Sequence, residues 1–185
     1  KLKNDERTSH IPIILLTAKA DLESRLEGLE RGADAYLSKP FEKKELEVRL
    51  RKLIELRQRL TARYATLSPE GIAETPAEIQ EDAFLKKLRS IVDANLESEE
   101  FGIGELCKEL AVSRTQLHRK LKALTNKSTS QVIRTIRMQE AKKLLQNPAL
   151  NISEIGYAVG YGNPSHFTQE FTKEFGEAPS FFRKG

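Results

Sequence analysis

Hydrophobic positions change period along this 185-residue chain, and the changes divide it. "IPIILLTA" (11–18) is a continuous apolar run, as in a strand buried on both faces. In "DLESRLEGLERG", Leu22, Leu26 and Leu29 share one helical stripe, with Asp21 as a cap and Gly32 as a stop. "ADAYLS" predicts a second strand. Strand, helix and strand at this spacing form a βαβ unit, with parallel strands and a right-handed crossover. From Glu42 to Tyr64, Leu46, Leu50, Leu53, Leu56 and Leu60 predict a long helix. Arg57 interrupts its near-heptad spacing, so the helix is expected to cover the sheet rather than form a long coiled coil. Residues 65–81, "ATLSPEGIAETPAEIQE", have no apolar period and read as a linker. Beyond them helices are expected at 82–97, 103–111, 113–124, 129–146, 153–159 and 163–175, with a short last turn near "SFFRK".

An internal repeat organises this second half. Ser113, Leu117 and Leu121 recur 50 positions on as Asn163, Phe167 and Phe171. Ile103, Leu106 and Leu110 recur 49 positions on as Ile152, Ile155 and Val159. Each copy is a short helix, a tight turn and a second helix, and Gly160 and Gly162 suit the turn of the second copy. Ser113 with Gln116 makes a capping box. Asn163 is a cap followed by Pro164 at the first helical position. If Leu117, Leu121 and Leu124 pack inward, then Arg114, Thr115, His118, Arg119 and Lys122 lie on the open face. If Phe167, Phe171 and Phe175 pack inward, then Ser165, Thr168, Gln169 and Lys173 lie open, with Pro164 at the leading end.

Charge adds a partner to this picture. Residues 1–81 carry 15 basic and 15 acidic side chains, whereas residues 113–145 hold nine Lys or Arg against one acid, Glu140. A local charge of +8 points to a polyanion. Arg119 has the fork geometry for guanine O6 and N7, while lysines such as Lys122 suit phosphate. The short polar side chains opening the second helix suit base edges and phosphates. A connector of residues 129–146 spans roughly 27 Å, which with its turns places the two open helices about 34 Å apart, one turn of the duplex. Arg134, Arg137, Lys142 and Lys143 on it either add to the field or pack on neighbours. His118 is read as a groove contact rather than idle surface, and His166 as equally a groove contact or a helper of its helix terminus.

Other chemistry is thin. One cysteine, Cys107, read as a core residue, allows no internal disulfide and fits a reducing cytoplasm. Three histidines and that cysteine lack metal-ligand spacing, so no metal, cofactor, small-molecule substrate or catalytic residue is expected. No apolar run approaches a membrane span. The start "KLKNDERTSH" is neither a signal peptide nor a Met start, which predicts a piece of a longer polypeptide.

Residues 82–185 resemble the AraC-type DNA-binding domain, on "LAVSRTQLHRKLKALT", "IRMQEAKKLL", "ISEIGYAVGYGNPSHFTQEFTKEFG" and "APSFFRK". The resemblance implies base-reading positions at Arg114, Thr115, His118 and Arg119, and at Pro164, Ser165, Thr168 and Gln169. Residues 1–64 resemble the C-terminal half of a response-regulator receiver domain, on "IPIILLTAKA" and "GADAYLSKPF". That resemblance implies Thr17 as the threonine receiving a signalling phosphate, Tyr36 as the switch aromatic and Lys39 as the phosphate-binding lysine. It also makes Pro40 the residue after a cis peptide bond. The acidic pair and acceptor aspartate of that family would lie before Lys1, and Asp5 and Asp21 are misplaced to replace them.

The expected fold is therefore mainly α, with two helix-turn-helix units joined by a long helix and preceded by a partial α/β receiver fragment. The expected domains are residues 1–64, a linker at 65–81, and 82–185. The expected function is sequence-specific transcription regulation on double-stranded DNA, not catalysis. Such a chain would be the cytoplasmic output end of a hybrid two-component regulator, membrane-attached only through upstream parts of its parent. A homodimer through residues 1–64 is expected, because a two-stranded sheet with an open apolar edge is marginal alone. The alternatives are a phosphoaccepting receiver module and an oligomerisation module.

Overall fold

The computed structural model describes residues 3, 5, 7–18, 26, 28–30, 32–67, 73 and 75–183. They form two compact units, Lys1–Phe84 with Arg119–Asn126, and Leu85–His118 with Lys127–Gly185. Two of the three boundaries, after Phe84 and after His118, fall inside helices.

In the first unit, β1 (Ile14–Thr17) and β2 (Ala35–Ser38) pair in parallel, from Ile14 opposite Ala35 to Thr17 opposite Ser38. The expected βαβ pairing is present. Residues 26 and 28–30 between the strands are helical, and Gly32 follows at φ +93°, a left-handed position suited to glycine. Asp21 and Leu22, assigned to the start of this helix, lie outside the described residues. β2 is buried, but β1 is not buried on both faces: Leu15 and Leu16 are 37% and 46% exposed. The reason is that β1 has one strand neighbour among the described residues, so one side of an apolar strand stays uncovered.

Helix α1 (Lys43–Tyr64) begins and ends where its leucine period indicates. Its stripe is not covered as a sheet-packing helix would be: Leu46, Leu53 and Leu60 are half-buried, and Leu50 and Leu56 are exposed. Tyr64 anchors its last turn, with its hydroxyl donating to Asp82 Oδ1 at 2.7 Å while Arg63 pairs with Asp82 at 2.9 Å. Helix α2 (Pro76–Asp93) starts six residues before the expected 82. The cause is a capping box inside the presumed linker. Glu78 N–H donates to Thr75 Oγ1 at 3.2 Å, Thr75 N–H donates to Glu78 Oε2 at 3.0 Å, and Pro76 takes the first helical position.

The second unit holds α3 (Ile103–Leu110), α5 (Thr129–Leu144), α6 (Ile152–Ala158), α7 (Pro164–Phe175) and a 3-10 turn (Pro179–Phe182). Helix α4 (Arg114–Thr125) belongs to both units. Two further capping boxes start α5 and α6, Ser128 with Gln131 and Asn151 with Glu154. The repeat is visible as burial: Leu106 and Ile155, Leu110 and Val159, Leu117 and Phe167, and Leu121 and Phe171 are all buried. Met138, Ala141 and Leu145 of α5 pack with Ile155, Val159, Phe167 and Phe171 into one core. The aromatic rings continue through Phe175, 4.6 Å from Phe171, to Phe182, 5.8 Å from Phe175. Each fully buried Phe of such a set contributes about 1.5–3 kcal/mol.

The turns of the repeats differ. The first uses Ala111 at φ 54°, and the second uses Gly160 at φ +77°. A Cβ on Gly160 would overlap the Leu96 carbonyl oxygen and lie 3.0 Å from Arg137 Cζ. Gly162 is not a positive-φ position, contrary to its expected turn role. Its bare Cα instead leaves room for the Glu99 carboxylate. Among the described residues no helix is long and apolar enough to cross a membrane.

Candidate nucleic-acid interface

Helix α4 is set at its start by the Ser113 box. Gln116 N–H donates to Ser113 Oγ at 3.2 Å, and Ser113 N–H donates to Gln116 Oε1 at 3.0 Å. Leu117, Leu121 and Leu124 are then buried at 1%, 0% and 3% exposure. Arg114, Thr115, His118, Arg119 and Lys122 are all exposed. Lys122 Nζ donates to the Asn126 carbonyl at 2.9 Å, closing the C-terminal end of the helix.

Helix α7 repeats the design with different chemistry. Asn163 Oδ1 accepts from Ser165 N–H at 2.9 Å and His166 N–H at 3.0 Å, and Pro164 stands at the helix start. Ser165, Gln169 and Lys173 are exposed, while Pro164 and Thr168 are half-buried. The Thr168 hydroxyl donates to Pro164 O at 2.9 Å, which leaves its lone pairs to accept. Lys173 pairs with Glu170 at 3.3 Å. His166 is exposed at the helix start, with its ring edge-on to Tyr161 at 5.4 Å.

Most of the +8 charge between 113 and 145 is engaged internally. Arg134 pairs with Glu170 at 2.7 Å, Lys127 with Glu174 at 3.7 Å, and Lys143 with Glu140 at 2.6 Å. Lys142 lies over the Phe175 and Phe182 rings at 4.8 and 4.7 Å. Arg137 is buried and donates to Ser98 O at 2.7 Å and Phe101 O at 3.2 Å. Burial lowers its pKa from the usual guanidinium value, against the opposing pull of Tyr161 and Glu99. The connector's cations therefore pack on neighbours, the second of the two roles open to them. Lys120, one of the four basic residues of α4, is buried at 2% exposure, which neither charge nor motif indicated. A positional signal existed: residue 120 is three after Leu117 and four before Leu124, on the inward stripe. What remains open on α4 is Arg114, Arg119 and Lys122 with His118 between them.

In the first unit, Thr17 and Lys39 meet at one end of the sheet. Lys39 N–H donates to Thr17 O at 2.7 Å, Lys39 is exposed, Tyr36 is buried, and the Lys39–Pro40 bond is cis. Among the described residues no cluster of acidic, His or Cys side chains has a metal-holding arrangement.

Two inward-striped, capped second helices following short helices define a helix-turn-helix protein. Residues 106–185 match the family model of a helix-turn-helix domain, and residues 1–51 that of the response regulator receiver domain. The chain carries an AraC-type helix-turn-helix domain preceded by part of a response-regulator receiver domain. Histidine kinase P4 of Formosa agariphila is 40% identical over 183 residues, 99% of this chain and 13% of that protein. The Msm operon regulatory protein of Streptococcus mutans is 32% identical over 102 residues, 55% of this chain and 36% of that protein. A solved transcriptional regulator with an AraC-type DNA-binding domain, from Chromobacterium violaceum, superposes with TM-score 0.52 at 28% identity, covering 57% of this chain and 93% of that one. The chain thus spans well under two thirds of the curated relatives it matches.

Proposed function

We propose that this chain is the DNA-reading output of a hybrid two-component regulator, working in the cytoplasm as part of a longer sensor-kinase polypeptide. In this reading α4 and α7 enter successive major grooves of double-stranded DNA. Arg114, Thr115, His118 and Arg119 read bases from α4, and Pro164, Ser165, Thr168 and Gln169 from α7. Lys122 and Lys173 contact phosphate. The observation that carries this is the division of the cations. Those of the connector are tied to neighbours, while Arg114, Arg119 and Lys122 stay open on one capped helix. Connector α5, 16 residues long, gives about 24 Å of the spacing between half-sites, and its turns extend this towards one duplex turn.

A second element of the proposal is a homodimer through residues 1–64. The support is exposed apolar surface within residues 1–64: Leu16, Val48, Leu50 and Ile54 are 46%, 47%, 43% and 56% exposed.

Selection of duplexes from a random pool tests the DNA-reading part. The expected product is a bipartite motif with half-sites about 10–10.5 bp apart. A pool left unenriched after repeated rounds would refute sequence-specific reading.

A further inference from the structure

Lys120 shares α4 with the residues assigned to base reading, yet it points the other way. Lysine is rarely buried, and this one is 2% exposed. Three groups surround its ammonium. Glu81 Oε2 lies 2.8 Å away, Ser9 Oγ accepts at 3.0 Å, and the Phe84 ring centroid is 4.1 Å from Nζ. Ser9 closes the cluster, since its hydroxyl donates to Glu81 Oε1 at 2.6 Å. Ser9 and Glu81 are themselves buried, at 7% and 3% exposure.

An apolar side chain at 120 would extend the stripe of Leu117, Leu121 and Leu124. A buried ion pair adds little net stability over such packing, because desolvation cancels most of its attraction. What it adds is direction. A leucine stripe lets a helix roll or slide, whereas an ammonium held on three sides does not. Rotating α4 by about 10° moves side-chain tips, roughly 5–6 Å from its axis, by about 1 Å. A bidentate fork on guanine does not survive that displacement, but a phosphate contact does.

We propose that Lys120 is a positioning residue for base reading. Through Glu81 and Ser9 it fixes the rotation of α4, and so the aim of Arg119 and His118. This rests on the base-reading role proposed above. Ser9 lies five residues before β1, in the receiver-like segment. The discrimination of α4 therefore depends on that segment staying docked, and a change that withdraws Ser9 loosens sequence reading more than it weakens DNA binding.

The test uses the full chain, its selected duplex and a scrambled duplex, titrated by anisotropy at several salt concentrations. Lys120→Met with Glu81→Gln removes both charges together and leaves neither stranded. The expected result is a specific-to-scrambled affinity ratio at least tenfold lower, with scrambled affinity within twofold and an unchanged salt slope. Ser9→Ala, which loses only the hydroxyl, lowers the ratio about threefold. A ratio kept within twofold in the folded double variant overturns the proposal. So does a salt slope lower by about one, which would make Lys120 a phosphate contact. If the double variant does not fold, Ser9→Ala decides alone, and an unchanged ratio there overturns the proposal. A wild-type chain without preference for any duplex removes base reading itself and this inference with it.

Discussion

Substituting Gly160 with alanine tests how the second helix-turn-helix is closed. The added Cβ meets two separate problems. At φ +77° an L-residue carries a left-handed strain of about 1–2 kcal/mol, which the lower unfolded-state entropy of alanine offsets by roughly 0.5–1 kcal/mol. The larger problem is space, since Cβ would overlap the Leu96 carbonyl and stand 3.0 Å from Arg137 Cζ. Arg137 cannot give way without loosening its bonds to Ser98 O and Phe101 O. Overpacking of this kind costs about 1–3 kcal/mol, so the expected net loss is roughly 2–3 kcal/mol. In urea that moves the midpoint down by about 1 M. The chain has no Trp, so far-UV circular dichroism is the signal. Ala111→Gly is the control, because Ala111 holds the matching turn of the first unit at φ 54° and is exposed. Relief of strain against glycine entropy predicts a gain of about 0.5 kcal/mol there. If Gly160→Ala moves the midpoint by no more than this control does, the turn absorbs the Cβ and the close approach of Leu96 and Arg137 is unimportant.

Further outcomes are expected at the DNA, at His10 and in the assembly state. Arg119→Ala should cost about 1–3 kcal/mol on the selected duplex and relax one base position. Equal losses on selected and random DNA would reassign it to phosphate. Lys122→Ala should weaken all sequences alike and flatten the salt dependence, which a mobility-shift series across salt measures. Gln169→Ala should shift preference with a smaller loss than Arg119→Ala, and the reverse order in a competition assay would make α7 the main source of affinity. Burial, then the charges of Lys120, Arg57 and Lys3, pulls His10 down to about 4, so the unfolded chain takes up its proton first as pH falls below 6.5. Its contribution is full above 6.5 and declines towards 4; the urea midpoint should drop more between pH 7.5 and 5 in wild type than in His10→Gln, and parallel drops would deny it that role. Light scattering at micromolar concentration should give the mass of two chains, and a monomer would refute association through residues 1–64.

Local patterns foretold the second half well. The repeat, the caps at Ser113 and Asn163 and the open faces of α4 and α7 depend on residues three or four apart, so helical periodicity exposes them. Pro and Gly density points to a linker and hides the start of α2 at Pro76, although "TPAE" spells its capping box. Two features had no local signature. The exposure of Leu15 and Leu16 depends on which strands lie beside β1, and an apolar run says nothing of its neighbours. The burial of Lys120 is hinted at by its place on the stripe, but its partners Ser9 and Glu81 lie 111 and 39 positions away. Local periodicity is blind to pairs that distant.

The capping boxes have a consequence for the order in which this chain acquires structure. Thr75 with Glu78, Ser113 with Gln116, Ser128 with Gln131 and Asn151 with Glu154 each fix a helix start within four consecutive residues. Such starts lower the cost of nucleation before any distant contact exists. The parallel pair of strands has no such advantage, because Ile14 must find Ala35 across a closed loop before either strand is stabilised. The helical half nucleates from its own sequence, whereas the strands, although made first, wait for closure.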